Sequence, residues 1–328
     1  MQKLINLPID TVAESLQGLE LAHEKILRVS HKSRFVYRAD APVHGKVAIV
    51  SGSGSGHEPL NVGYVGRGML DAACLGDVFT SPTPMQYLAA TEMVEGGAGV
   101  LYVVKNHTGG VLNMEIAMEM AAEREIMVKT VLVNDDVAVD DAANRRGLGA
   151  AIFVEKIAGA AAERGYTLNQ VQAVAKRSST QCRSMGVALT SCILPNLGRP
   201  TFDLPADKME IGVGIHGERG RQRIPSTSAD QVVELLLEPI MADLEVRAGD
   251  RMLVMVSGLG GTPQQELYIV YRHLHKLLTM RGVTIEQQLI GNYITSLEMA
   301  GCAVTLMRVD AELLELWNAP VHTPTLWW

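Results

Sequence analysis

The sequence predicts an α/β protein of two domains, each a sheet flanked by helices. Its 328 residues leave room for about two domains, since a domain takes roughly 150 residues. Short apolar runs typical of buried strands alternate with helical patterns along the chain. This alternation of strand and helix patterns is interrupted by a Pro/Gly-rich stretch at 195–200. We therefore place a boundary there and expect domains at 1–194 and 195–328.

The N-terminal half is predicted to begin with a helix capped by Thr11 and then to alternate strands with helices. The predicted strands cover 47–50, 100–104, 128–133 and 185–194, and the predicted helices cover 85–94, 112–124, 152–164 and 168–178. This alternation is typical of a mostly parallel sheet covered by helices. Such sheets bind their ligands at the loops that leave the carboxyl ends of the strands.

The C-terminal half predicts a second α/β domain. Its predicted strands cover 211–215, 252–256, 288–293 and 304–309, and its predicted helices cover 229–244, 264–279 and 311–317. The similar size of the two halves is compatible with a doubled architecture.

Composition and charge exclude several classes of protein. The 47% hydrophobic and 20% charged content is that of a compact folded chain. The net charge, 29 − 36 = −7, disfavours direct binding of nucleic acid. No apolar stretch approaches the roughly 18 residues of a membrane helix, and Asp10 precedes any apolar signal core, so we expect a cytoplasmic protein without a membrane partner. The four cysteines lack C-x-x-C spacing, which predicts buried free thiols and no metal site.

The most informative loop is the glycine-rich segment 51–59, which follows a predicted buried strand. Glycines at this spacing let the backbone turn sharply and expose several N–H groups, and serines add hydroxyl donors. The segment lacks the Gly-Lys-Ser/Thr of a Walker A loop and the ending of a dinucleotide turn. It predicts a ligand cradle whose candidate binding residues are Gly54, Ser55, Gly56 and His57; a flexible turn is the alternative.

A second glycine-rich segment, 212–218, places His216 between glycines near the end of a predicted strand. It contains a formal G-x-G-x-x-G, but a basic run and Pro225 follow where a dinucleotide-binding helix would start. We reject that interpretation. A neutral imidazole that a substrate can approach closely is a competent nucleophile, although a lone histidine is more often a structural hydrogen-bonding group.

Three further loops at strand ends carry small polar groups. They cover 80–84 with Ser81, 104–110 with Lys105 and Gly110, and 257–263. Several such loops together predict a polar pocket for a small hydroxylated ligand. For 80–84, helix capping alone explains the pattern equally well.

Taken together and in this order, these segments resemble the dihydroxyacetone-binding K subunit family of dihydroxyacetone (glycerone) kinases. The blocks that carry the resemblance are 3–6, 37–40, 51–59, 79–84, 105–113, 212–218, 258–268 and 319–324, so it extends from residue 3 to residue 324. It implies two α/β domains in a homodimer. It also implies that dihydroxyacetone, or a close ketose, is bound covalently as a hemiaminal to His216, with hydrogen bonds from His57, Ser81, Lys105 and the backbone of Gly54.

In this family the nucleotide and its Mg²⁺ belong to a separate L subunit or domain, so the resemblance implies no cofactor in this chain. In bacterial systems of this kind, a phosphoenolpyruvate-dependent phosphotransferase relay recharges the nucleotide on L through an M subunit. The resemblance therefore implies the substrate-binding subunit of a phosphoenolpyruvate-dependent dihydroxyacetone kinase, with an L subunit as its partner.

The sequence departs from the kinase pattern at Gly110. Kinase members of the family have there an aspartate that acts as general base for the attacking hydroxyl. A general base contributes roughly 100- to 10,000-fold to rate. Some relatives are ligand-binding coactivators that keep the covalent histidine and act with a transcription regulator. A ketose-sensing coactivator is therefore the alternative function, and Arg219, in a position where kinases often have proline, adds to a basic run with Arg221 and Arg223.

Overall fold

The computed structural model describes residues 3–328; residues 1 and 2, which open the first predicted domain, lie outside them. Over these residues the chain forms two compact units, and neither is continuous in sequence. The N-terminal unit comprises 3–133, Ala151–Ser179 and Leu313–Trp328. The C-terminal unit comprises Asn134–Ala150 and Thr180–Glu312.

The N-terminal unit contains a six-stranded sheet. Its elements are α1 (Thr11–His23), β1 (Leu27–Ser30), β2 (Phe35–Arg38), β3 (Ala48–Ser55), β4 (Ala72–Val78), α2 (Pro84–Val94), β5 (Val100–Lys105), α3 (Thr108–Ala122), β6 (Val128–Val133), α4 (Ala150–Glu163) and α5 (Leu168–Thr180). The strand order is β1-β2-β4-β3-β5-β6. Strands β4, β3, β5 and β6 are parallel, whereas β1 and β2 pair antiparallel at one edge. Strands β3 and β5 are buried along their whole length, as expected for parallel strands covered on both faces.

The C-terminal unit contains a second six-stranded sheet. Its elements are β7 (Cys182–Ala188), β8 (Lys208–Ile211), β9 (Gln222–Pro225), α6 (Ala229–Asp243), β10 (Arg251–Gly258), α7 (Gln264–Met280), β11 (Thr284–Gly291), β12 (Gly301–Arg308) and α8 (Ala311–Trp317), the last of which runs on into the N-terminal unit. The strand order is β11-β10-β12-β7-β8-β9, and only the β10–β11 pair within these strands is parallel. Leu236 of α6, Leu274 of α7 and Val254 of β10 lie in one buried core.

The predicted α/β class, with sheets flanked by helices, is confirmed, but the boundary after residue 194 falls inside the C-terminal unit. The reason is β7, which pairs with β12 from Met307 to Gly301 and so belongs to that sheet. The predicted strand 211–215 ends at Ile211, because Gly212 adopts a φ of 80° and turns the chain. The four cysteines are free and buried, as predicted. Within residues 3–328, no helix is long and apolar enough to cross a lipid bilayer.

A buried cluster of charges fixes the start of β4 in the N-terminal unit. Asp71 accepts a hydrogen bond from Lys46 at 2.6 Å, from Arg38 at 3.1 Å and from the backbone N–H of Ile49 at 2.7 Å. All three side chains of this cluster are buried. Arg38 lies in β2, Ile49 in β3 and Asp71 directly before β4, so the cluster joins these three strands.

Candidate functional site

The glycine-rich segment forms the second half of β3 and the turn that follows. Strand β3 continues to Ser55, so Gly52 and Gly54 are sheet residues that pair with Cys74 and Gly76 of β4. A Cβ at Gly54 would come within 2.5 Å of the backbone nitrogen of Thr80. These two glycines therefore allow close packing of neighbouring backbone. The sequence pattern instead predicted a loop that exposes N–H groups.

Glu58 closes the turn after β3. Its carboxylate accepts hydrogen bonds from the hydroxyl of Ser55 at 2.9 Å and from the N–H of Gly56 at 2.8 Å. Burial raises the pKa of Glu58 above its usual value, although these donors oppose the shift. Gly56 has a φ of 101°, a conformation that favours glycine. The turn thereby fixes the backbone on either side of Gly56.

His57 follows directly and is completely buried. Its ring stacks on that of Phe79, with centroids 4.9 Å apart and planes 5° from parallel. Phe79 has a φ of 57°, which is uncommon for an aromatic residue, and its N–H donates to the carbonyl of Ser55 at 2.9 Å. The turn after β3 and the loop after β4 therefore hold the imidazole in one orientation.

Lys105 is the last residue of β5 and is buried at 5% exposure. Its Nζ donates to the carbonyl of Gly52 at 3.2 Å and to Oδ1 of Asn61 at 3.2 Å. Burial lowers the pKa of Lys105 below its usual value, and the carboxylate of Glu155 opposes this shift. The structure thus brings the lysine predicted from one strand end onto the glycine-rich strand.

Ser81 lies in the loop between β4 and α2, and its side chain is close to Gly109 and Gly110 in the first turn of α3. Thr83 provides the N-terminal cap of α2 through a reciprocal pair of hydrogen bonds with Gln86, so capping does not use Ser81. The Oγ of Ser81 is 3.2 Å from a Cβ built on Gly109 and 3.8 Å from one built on Gly110. Gly110 lies in the first turn of α3, where a Cβ would make only ordinary van der Waals contacts.

His216 belongs to the C-terminal unit and lies in a turn after β8. Its Nδ1 is 2.9 Å from Oε1 of Glu218, and its backbone N–H donates to Oε2 of the same carboxylate at 2.9 Å. An ionised carboxylate only accepts hydrogen bonds, so Nδ1 is the donor, and in the neutral ring the lone pair is on Nε2. The ring is half-buried, with 25% of its side chain exposed.

Arg146 supports this turn. It contacts Oδ2 of Asp136 at 2.6 Å and donates to the carbonyl of Gly212 at 2.8 Å. A Cβ at Gly214 would lie 2.1 Å from Glu218 and 2.7 Å from Arg146. Glycine is therefore required at Gly214 for the guanidinium and the carboxylate to approach the turn. Burial raises the pKa of Asp136 to about 6, although Arg146 opposes that shift.

Two arginines of the basic run have structural partners. Arg221 contacts Asp140 at 2.8 Å, and Arg223 contacts the buried Glu210 at 2.9 Å. Arg219 is exposed. Arg221, directly before the edge strand β9, and Arg223, within it, therefore have a structural role.

Three residues that support the site were not predicted from the sequence: Asn61, Glu155 and Arg146. No local pattern marks Asn61 or Arg146, because their roles depend on contacts with distant segments. A signal for Glu155 was present, since Glu155 and Lys156 interrupt an otherwise apolar helical pattern and charged residues there are buried only with partners.

Comparison with known proteins defines the class. The Dak1 domain family matches residues 17–325, and the chain belongs to this family. The family resemblance predicted from the sequence is therefore confirmed.

Particular relatives are similar over the full length of the chain. The dihydroxyacetone-binding subunit DhaK of the PEP-dependent dihydroxyacetone kinase of Escherichia coli (strain K12) is 44% identical, with 100% of this chain and 99% of that protein covered. Among solved structures, the dihydroxyacetone kinase operon co-activator Dha-DhaQ has a TM-score of 0.91 and 30% identity, over 95% of this chain and 97% of that one. The dihydroxyacetone kinase of C. freundii in complex with AMP-PNP and Mg²⁺ has a TM-score of 0.91 and 36% identity, over 99% of this chain and 60% of that one.

Proposed function

We propose that this chain binds dihydroxyacetone, or a close short-chain ketose, through a covalent bond to His216. The observation that carries the proposal is the contact of Glu218 with Nδ1, which directs the lone pair of the imidazole to Nε2. The 44% identity to the dihydroxyacetone-binding subunit of E. coli supports the choice of ligand.

The covalent step is an addition to the ketone. The lone pair of Nε2 forms a bond to the carbonyl carbon, the π electrons move to the oxygen, and that oxygen takes up one proton from solvent. The positive charge that develops on the ring is balanced by Glu218 through Nδ1–H. Glycerol has no carbonyl group and cannot react in this way, so the step selects ketoses over the polyol.

The remaining candidate residues supply hydrogen bonds in this proposal. They are His57, Ser81, Lys105 and the backbone of the segment Gly54, Ser55 and Gly56. Ser81 supports it because its hydroxyl is not used as a helix cap, and Lys105 supports it because its amine is held at the glycine-rich strand.

The first candidate for the wider role is the substrate-binding subunit of a phosphoenolpyruvate-dependent dihydroxyacetone kinase. The chain would present the ketose hydroxyl to a nucleotide and Mg²⁺ held on a separate L subunit, and would hold no cofactor itself. Similarity to kinase subunits over the whole chain supports this role.

The second candidate is a ketose-sensing coactivator of a transcription regulator. Gly110 favours this role, because glycine has no side chain that could accept the proton of the attacking hydroxyl. The likeness to the co-activator Dha-DhaQ is the second observation in its favour. Both roles use the same covalent attachment.

Nuclear magnetic resonance with dihydroxyacetone labelled at the carbonyl carbon tests the attachment. We expect the bound carbon signal to move from the carbonyl region to that of a tetrahedral carbon. His216→Ala should abolish this signal, while His275→Ala, which removes an exposed histidine of α7, should leave it unchanged. A bound ketose that retains its carbonyl signal would overturn the proposal, and so would crystallographic density that stops at van der Waals distance from Nε2.

We further propose that the chain forms a homodimer, the commonest closed assembly. Light scattering tests this. The mass should be twice the 35.5 kDa of one chain, and a mass near 35.5 kDa at micromolar concentration would contradict it.

A further inference from the structure

A buried network of hydrogen bonds connects Lys105 with Glu155, and Asn61 is at its centre. Oδ1 of Asn61 accepts from the hydroxyl of Ser53 at 2.9 Å and from Nζ of Lys105 at 3.2 Å. Nδ2 donates to Oγ of Ser51 at 2.9 Å and to Oε1 of Glu155 at 2.6 Å. An amide has two acceptor and two donor positions, so all four are used. The amide cannot rotate without breaking the network.

This arrangement fixes the amine of Lys105. The network joins β3, β5 and α4, and Asn61, Lys105 and Glu155 are all buried. Nζ uses two of its three donor positions, on Gly52 and Asn61. No third acceptor for Nζ is found among the described residues, so one donor position remains available. An ammonium group held in this way meets a ligand oxygen with little further loss of side-chain entropy.

Lys105 and Glu155 are also electrically coupled. Burial lowers the pKa of Lys105, and the charge of Glu155 raises it. Burial raises the pKa of Glu155, and the charge of Lys105 lowers it. Tyr87 of α2 and Cys74 of β4, which pack on β3 at Gly52, stay neutral because burial raises the pKa of each. Glu155 is therefore the group that favours a charged amine at Lys105.

We propose that Glu155 is a positioning residue of the ketose site: through Asn61 it holds the amine of Lys105, and its carboxylate favours the protonated form of that amine. The inference rests on the proposed function, in which Lys105 donates to a ketose oxygen. Binding then weakens as the pH rises and Lys105 loses its proton. Without the carboxylate, this loss occurs at lower pH.

The test uses Glu155→Gln, which keeps the shape of the side chain and an oxygen that accepts from Asn61 but removes the charge. The dissociation constant for dihydroxyacetone is measured from about pH 6 to about pH 9. We expect the alkaline loss of binding to shift down by about one pH unit, the lower end of the effect of a neighbouring opposite charge. Because burial lowers the pKa of Lys105 to about 8, affinity at about pH 9 then falls about tenfold, and affinity at about pH 6 stays the same.

Lys156→Met is the matched control, because it removes the adjacent buried titratable residue of α4. It should leave the binding profile unchanged. Superimposable profiles for the wild type and Glu155→Gln would overturn the inference. Equal weakening at all pH values would also overturn it, because a merely structural role has that effect.

A second measurement keeps the inference testable if no ketose binds. The Cε resonance of Lys105, labelled with ¹³C and assigned by its loss in Lys105→Met, is titrated in the ligand-free protein. We expect its midpoint to fall by about one unit in Glu155→Gln. Absence of ketose binding overturns the proposed function, whereas an unchanged Lys105 midpoint overturns the role of Glu155.

Discussion

Both carboxylate oxygens of Glu218 contact His216. One accepts from the ring at Nδ1 and the other from the backbone N–H, each at 2.9 Å. A single side chain therefore fixes the orientation and the tautomer of the imidazole and the backbone that carries it. This double contact decides which ring nitrogen can react with a ketone.

Glu218→Gln should weaken covalent ketose binding. The amide retains one acceptor oxygen, so it can satisfy only one of the two donors of His216. A hydrogen bond to a charged group contributes about 1.5–3 kcal/mol, so we expect the association constant to fall roughly 10- to 100-fold. Glu234→Gln is the control, because Glu234 contacts another histidine, His273, at 3.1 Å. Equal ketose affinity in Glu218→Gln and the wild type would contradict the role of Glu218.

Gly110→Asp should raise phosphorylation of dihydroxyacetone by a competent L subunit if the chain is a kinase subunit. A Cβ at this position lies 3.8 Å from its nearest neighbours, and an acidic residue in the first turn of α3 is favourable. We expect a gain of roughly 100-fold, the low end for a restored base.

Gly110→Asn fills the same space without a base and should give no gain. Ketose affinity should be the same in all three proteins. No gain with Gly110→Asp supports the coactivator role. Turnover of the natural protein at about 1–100 per second, the range of ordinary kinases, would show that another residue is the base.

Lys156→Met should stabilise the protein more at acid than at alkaline pH. Lys156 is completely buried, donates to the carbonyl of Leu316 at 2.9 Å, and has its pKa lowered to about 7 by burial. The unfolded chain has the ordinary value of about 10.4, so it binds more protons than the folded one between these values, and stability rises with pH there. Urea unfolding at about pH 6 and about pH 9 should show a gain that is larger at pH 6, by more than about 1.4 kcal/mol, the equivalent of one pKa unit. An equal gain at both values would mean that Lys156 does not titrate in this range.

Asp71→Asn should destabilise the N-terminal unit by about 3–5 kcal/mol, because it leaves Lys46 and Arg38 buried with fewer opposite charges. Asp40→Asn removes a carboxylate that also contacts Arg38 but has 65% of its side chain exposed. We expect it to lose about 1 kcal/mol or less. Similar losses for both variants, measured by urea unfolding, would argue against the buried cluster as a stabilising element.

The helices of the C-terminal half were predicted to within one residue, because their apolar residues recur at the helical period. Helix α6 was predicted at 229–244 and ends at Asp243, and α7 was predicted at 264–279 and ends at Met280. The four-residue strands β1, β2, β8 and β9 were missed or misplaced, because so short a segment shows no clear period. The antiparallel pairing of β7 with β12 is likewise set by contacts distant in sequence.

The residues of the candidate site were also predicted only in part, because some of them depend on contacts between segments distant in sequence. His57, Ser81, Lys105 and His216 follow strands or lie between glycines, so local patterns and the family resemblance pointed to them. Asn61 and Glu155 are 94 positions apart, and their contact exists only after the strands and α4 have packed. Sequence patterns therefore identified side chains that could meet a ligand, but not those that orient them.

The discontinuous N-terminal unit has a consequence for the order in which the protein can be made. Its closing segment, Leu313–Trp328, follows the whole C-terminal unit in the chain, yet Trp317 packs on Phe153 with ring centroids 5.1 Å apart. When translation has reached residue 180, the closing segment of the N-terminal unit has therefore not yet been synthesised. The N-terminal unit completes its fold only after translation has passed through the C-terminal unit, so neither half can be expressed separately by cutting the chain once.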